Sequence, residues 1–339
     1  MTAARDSAEL PVRPARKPAR RPRLEAKYVP ISATIALFAL MVGFGSVFYT
    51  GFFSAQVFFN LLIDNAFLCI VAVGMTFVIL SGGIDLSVGS VVALTTMISA
   101  ALVEHHQMTA GVVIPLVLVL GAGFGATMGF LILRFRLQPF IVTLAGMFMA
   151  RGLCYLISID SISITDPFYA AISQARIALW GDAALSIGAL VALVTVLLAM
   201  FLAHCTQFGR TVYALGGNPY SAMLMGLPVA RTTVLVYTLS GFCSALGGVV
   251  FTFYMLSGYG LHAQGMELDA IAAVVIGGTL LSGGVGYVAG TLFGVLILGI
   301  IQTLIMFDGS LSSWWTRIVI GALLFVFCLL QRAFEARRR

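Results

Sequence analysis

Charged side chains are scarce in this 339-residue chain: Asp, Glu, Lys and Arg make up 9% of it, against 60% hydrophobic residues. A water-soluble domain carries roughly 25% charged residues because its surface must be wetted, so a soluble fold is excluded. Lysine is scarcer still, with only Lys17 and Lys27. A Walker A loop needs a lysine at the nucleotide phosphates, so the chain does not hydrolyse ATP by that route. GxSxG, HExxH and His–carboxylate pairs at i, i+3 or i, i+4 spacing are missing too, which leaves hydrolase and metalloprotease chemistry unsupported. The five cysteines contain no CxxC pair, and no disulfide framework is expected. Of the four histidines, His105 and His106 are adjacent, without the i, i+4 spacing of a helical metal site.

Apolar runs of about 20 residues, enough to cross the hydrocarbon core, fill most of the chain. They predict an all-α polytopic membrane protein of about ten transmembrane helices, near 30–50, 59–80, 86–103, 110–133, 139–158, 184–204, 233–255, 269–282, 287–307 and 313–331. The first run has no small-residue cleavage site behind it and reads as a retained helix rather than a signal peptide. The net charge of +6 is no sign of nucleic-acid binding, because eight of the 19 basic residues precede residue 28 and four follow residue 331. Residues 1–27 read as a disordered basic tail drawn to the inner-leaflet lipid, 28–332 as the membrane domain, and 333–339 as a second basic tail. Arg134, Arg136, Arg210 and Arg231 fall in loops on the same side as these tails. The positive-inside rule then places both termini in the cytoplasm.

Two Gly-rich breaks interrupt this pattern. One contains Gly82, Gly83 and Asp85; the other contains Gly283 and Gly284. They are related by an offset of 201 residues, at which Leu80-Ser81-Gly82-Gly83 matches Leu281-Ser282-Gly283-Gly284. Paired Gly-interrupted segments point to a transporter's pathway. Asp85 either caps the following helix with tight packing around it or takes a direct part in transport or gating. Asp64 and Asn65 in the second helix are further pathway candidates. Arg151, in the fifth, requires a carbonyl or carboxylate partner, as a clamp or as part of the pathway. Glu267 and Asp269 are expected near the outer surface, either simply solvated or touching an extracytoplasmic partner.

The longest inner loop, about 205–232, carries Gly216-Gly217-Asn218-Pro219 and, further on, Ala222, Met225 and Gly226. Asn218 as N-cap, Pro219 at the first helical position and Gly226 as a stop predict a two-turn surface helix. So short a helix is marginal alone; its apolar residues pack on their own bundle or dock a soluble subunit.

From the second helix to the tenth, the chain resembles the ribose-type permeases of ABC sugar importers. The resemblance rests on AVGMTFVILSGGIDLSVGSVVAL, on FGRTVYALGGNPYSAMLMG and on ELDAIAAVVIGGTLLSGGVGYVAGTLFGVLILGIIQ. Within that family it looks most like permeases of bacterial galactofuranose importers, through LLIDNAFLCIVAVGMTFVILSGGIDLSVGSV and FDGSLSSWWTRIVIG. The Pro/Arg-rich tail departs from the pattern. The resemblance implies a multi-pass subunit of the bacterial inner membrane that imports a monosaccharide and is not itself an enzyme. It implies a second, homologous permease chain in a heterodimer and a periplasmic sugar-binding protein. It also implies an ATPase with two nucleotide-binding cassettes, which holds the ATP and Mg²⁺, so that this chain needs no cofactor. The Asn218–Gly226 segment would be the coupling helix. The rival, a gradient-driven carrier, would depend on Asp64 and Asp85.

Overall fold

The computed structural model describes residues 29–180, 183–310, 312 and 314–336. The basic tail expected over 1–27 lies outside these residues, as do Arg337, Arg338 and Arg339. In chain order the elements are α1 (Val29–Phe48), α2 (Ala55–Asp64), α3 (Ala66–Leu80), α4 (Val88–Glu104), α5 (Ala110–Phe135), α6 (Pro139–Ile157), β1 (Ile162–Ser163), α7 (Pro167–Gln174), β2 (Arg176–Trp180) and β3 (Ala183–Ser186). They continue with α8 (Ile187–Cys205), α9 (Gln207–Gly217), α10 (Pro219–Leu224), α11 (Val229–Met255), β4 (Ser257–Gly258), α12 (Met266–Ile276), α13 (Val288–Asp308) and α14 (Trp314–Ala336).

Among the described residues, six helices, α1, α5, α6, α8, α11 and α13, are long and apolar enough to cross a membrane unaided. The second expected helix is a bent pair, α2 and α3, turned by 58°. The bend falls at Asn65, where the chain leaves helical geometry for one residue. Val88–Glu104 and Trp314–Leu330 are apolar but shorter than a full span. The expected 269–282 helix ends at Ile276, because Gly277 caps it and Gly278 turns away at φ +90°. At the other end of the chain α14 continues to Ala336, into the segment expected as the second basic tail.

α3 is apolar on every side and buried on nearly every side, the mark of a central helix. α11 packs along it and also against α4 and α5. Small residues permit that closeness. Gly121, Gly125 and Gly129 present one i, i+4 stripe of α5 to Gly241, Tyr237 and Val234 of α11, and a Cβ at Gly125 would overlap the Tyr237 carbonyl. Such stripes let backbones meet by dispersion where lipid supplies no hydrophobic drive.

Outside the helices the described residues form two short antiparallel ladders, β1 with β4 and β2 with β3. Between β1 and β2 lies α7, with Pro167 as its first residue. Asp166 caps it, accepting from the Phe168 and Tyr169 amides.

Candidate functional site

The two Gly-rich breaks, some 200 residues apart in sequence, meet in space. The Gly284 amide donates to the Leu80 carbonyl at 2.9 Å, so the second break is bonded to the end of α3. Gly82, Gly283 and Gly284 have φ of +84°, +85° and +73°, which side chains with a Cβ resist. The third partner is the inner loop. Gly216, at the end of α9, is wedged between the Leu80 carbonyl and the Gly284 amide with no room for a Cβ, and Gly217 lies against Gly284. The Tyr213 hydroxyl of α9 donates to the Gly286 carbonyl at 2.8 Å. Burial pushes that phenol up to about 12, so it keeps its donor proton at neutral pH. Above this joint the Thr76 and Thr291 hydroxyls share a hydrogen bond of 2.8 Å, joining α3 of one repeat copy to α13 of the other.

Leading directly on from α9, α10 is built as its sequence predicts. The Asn218 side chain accepts from the Ser221 amide at 3.0 Å, Pro219 is the first helical residue, and Gly226 turns at φ +74°. Its two faces differ. Ala222 is fully buried against the bundle, whereas Tyr220, Met223, Leu224 and Met225 are each 58–69% exposed.

Asp85 is 2% exposed and does not cap α4 as expected, because it stands two residues before the N-cap, Ser87. Its Oδ1 accepts from the Ser87 amide at 2.9 Å and the Ser87 hydroxyl at 2.6 Å, while Oδ2 accepts from the Ser240 hydroxyl of α11 at 2.7 Å. A buried carboxylate is tolerated only when its lone pairs are satisfied. Here three donors satisfy it and tie the first break to α11.

The remaining candidates lie away from the joint. Arg151 is half-buried and donates to the carbonyls of Gly260 at 2.6 Å and His262 at 2.8 Å, clamping α6 to the loop ahead of α12. Asp64 is exposed and accepts from the Tyr254 hydroxyl at 3.3 Å. Asn65 is buried and donates to the Leu61 carbonyl at 2.9 Å. Glu267 and Asp269 are half-buried, not on the open outer surface. The Glu267 carboxylate lies against Gly89 in the first turn of α4, where the positive end of the helix dipole favours an anion. Sequence reasoning missed Tyr213, Ser240, Thr291 and, as a site residue, Arg317. A polar atom on an otherwise apolar helix face was the available signal for the first three.

A family model described as the permease component of the branched-chain amino acid transport system matches residues 57–328. The inner membrane ABC transporter permease protein YjfF of Escherichia coli (strain K12) is 53% identical over 304 residues, covering 90% of this chain and 92% of that one. The fructose import permease protein FruG of Bifidobacterium longum is 40% identical, covering 93% and 94% of the two chains. The ribose import permease protein RbsC of E. coli K12 is 37% identical, covering 84% and 88%. No solved structure matches.

Proposed function

Because this chain belongs to the ribose-type sugar branch of the ABC permease family and is a multi-pass protein of the inner membrane, we propose that it is a membrane-spanning subunit of an ATP-driven importer of a monosaccharide. Galactofuranose is the first sugar to test. Ribose, fructose and xylose follow on equal footing, since relatives are named for them. ATP and Mg²⁺ are bound by a partner ATPase with two cassettes, a second homologous permease completes the membrane unit, and a periplasmic binding protein delivers the sugar. The chain crosses about ten times with both termini in the cytoplasm, broken and short helices included.

The observation that carries this reading is α10: a capped two-turn helix with four apolar side chains facing outward, joined through Gly216 to both Gly-rich breaks. Its exposed face suits a cleft in a soluble subunit. A push on it reaches Leu80 and Gly284 through direct backbone contact. The test is uptake of labelled galactofuranose by proteoliposomes that hold this chain, the second permease and the ATPase, with ATP inside and binding protein outside. Uptake that needs every component and is lost in Gly226→Val supports the reading. Failure to co-purify with any ATPase sinks it. ATP hydrolysis stimulated by another sugar's binding protein keeps the transport role and moves the substrate.

A further inference from the structure

A second polar feature lies apart from the glycine joint. A cavity of about 610 Å³ opens between α3, α12, α13 and α14, a size within the roughly 300–1,000 Å³ of small-molecule sites. Asn65, Asp269, Gln302 and Arg317 bring polar groups to it, and Leu298 and Ile320 supply apolar wall. Asp269 of α12 and Arg317 of α14 share this lining. Arg317 lies over Gly265 at the head of α12, where an added Cβ would come within 3.1 Å of its Nη1.

Asn65 is buried, Asp269 half-buried, and Gln302 and Arg317 exposed on this chain; hydrocarbon cannot satisfy a carboxylate, a guanidinium and two amides, so these groups face water, protein or a ligand. One negative and one positive group facing a common space make a site of no net charge. That disfavours an anion or a cation and suits a neutral molecule. Sugar hydroxyls both donate and accept. Carboxylate and guanidinium offer paired acceptors and paired donors to neighbouring hydroxyls, amides offer one of each, and C–H faces pack on aliphatic wall.

We propose that this cavity is a monosaccharide station on the translocation route, with Asp269, Gln302 and Arg317 as the residues that touch the sugar. The inference rests on the importer reading above and extends it to specific contacts. It also gives Asp269 a role inside the membrane rather than at a binding-protein surface.

The test uses the complete transporter in proteoliposomes, with labelled galactofuranose, ribose, fructose and xylose; whichever the wild type transports becomes the probe. Asp269→Asn and Gln302→Leu each remove hydrogen bonds to the sugar, one of them charge-assisted. Each should lower the sugar moved per ATP hydrolysed, by about tenfold for the aspartate. Independently, Gln302→Cys, with Cys205 and Cys328 replaced by Ser, should react with a small water-soluble thiol reagent, and the transported sugar should slow that reaction. Unchanged sugar per ATP in both variants overturns the station. So does protection of Gln302→Cys by the second permease alone, which would make the cavity an intersubunit surface. A wild type that transports while both variants move as much sugar per ATP as it does removes the station only. A wild type that moves none of the four sugars and hydrolyses no ATP in response to any sugar-binding protein removes the importer reading and the station together.

Discussion

Gly216 has no room for even one methyl group, because the Leu80 carbonyl and the Gly284 amide occupy the position a Cβ would take. Overpacking of this kind costs about 1–3 kcal/mol. Gly216→Ala is therefore expected to lower the melting temperature of the detergent-solubilised protein and to reduce coupled transport; an unchanged melting curve would mean that the three segments are not in contact. At Asp85 the argument concerns lost donors. Ser240→Ala removes one of three hydrogen bonds to a buried carboxylate, a loss of about 1.5–3 kcal/mol. Ser240→Thr keeps the hydroxyl and should restore part of the stability in the same melting assay. Full stability in Ser240→Ala would show that Oδ2 has another partner.

At the scale of single elements, α10 separates capping from docking. Asn218→Ala deletes the bond to the Ser221 amide and should cost about 1 kcal/mol locally, read as faster amide exchange over Ser221–Leu224. Met223→Ser with Leu224→Ser leaves the cap in place and removes exposed apolar area. That pair should weaken co-purification with the ATPase severalfold while the isolated chain melts unchanged; full retention of the ATPase would place the docking surface elsewhere. This helix was legible in the sequence because its signals are local: Asn218, Pro219 and Gly226 act through their own backbone. Its neighbour α9 was not. It carries Gly209, Gly216 and Gly217, poor helix formers, and is held by contacts with distant segments. The bend at Asn65 and the stop at Ile276 were hidden for another reason: the apolar runs continue through both, and hydropathy does not register a change of backbone direction. The 201-residue repeat was readable from matched glycines, yet that its two copies touch was not, since a long-range contact leaves no mark on composition. Likewise Asp269 and Arg317, 48 positions apart in sequence, carried no sign of sharing a cavity.

For the whole molecule, the proposed topology puts α9 and α10 in the cytoplasm and the β1 ladder on the opposite face. Arg210→Cys and Asp160→Cys both stand at exposed positions. With Cys205 and Cys328 replaced by Ser, an impermeant thiol reagent should reach only Asp160→Cys in intact cells and only Arg210→Cys in inverted vesicles. Labelling of both from one side would overturn the crossing pattern. Arg151 also acts at this scale, holding α6 to the loop ahead of α12 through two carbonyls. The bond from the Gly284 amide to the Leu80 carbonyl has a further use. It is a main-chain bond between two copies of a repeat, at the spot where the inner-surface helix presses on both, so the molecule contains its own strain gauge. If ATPase docking pries the joint apart, deuterium uptake at that one amide should quicken while the Thr76–Thr291 level above it stays protected, timing the stroke without any label attached.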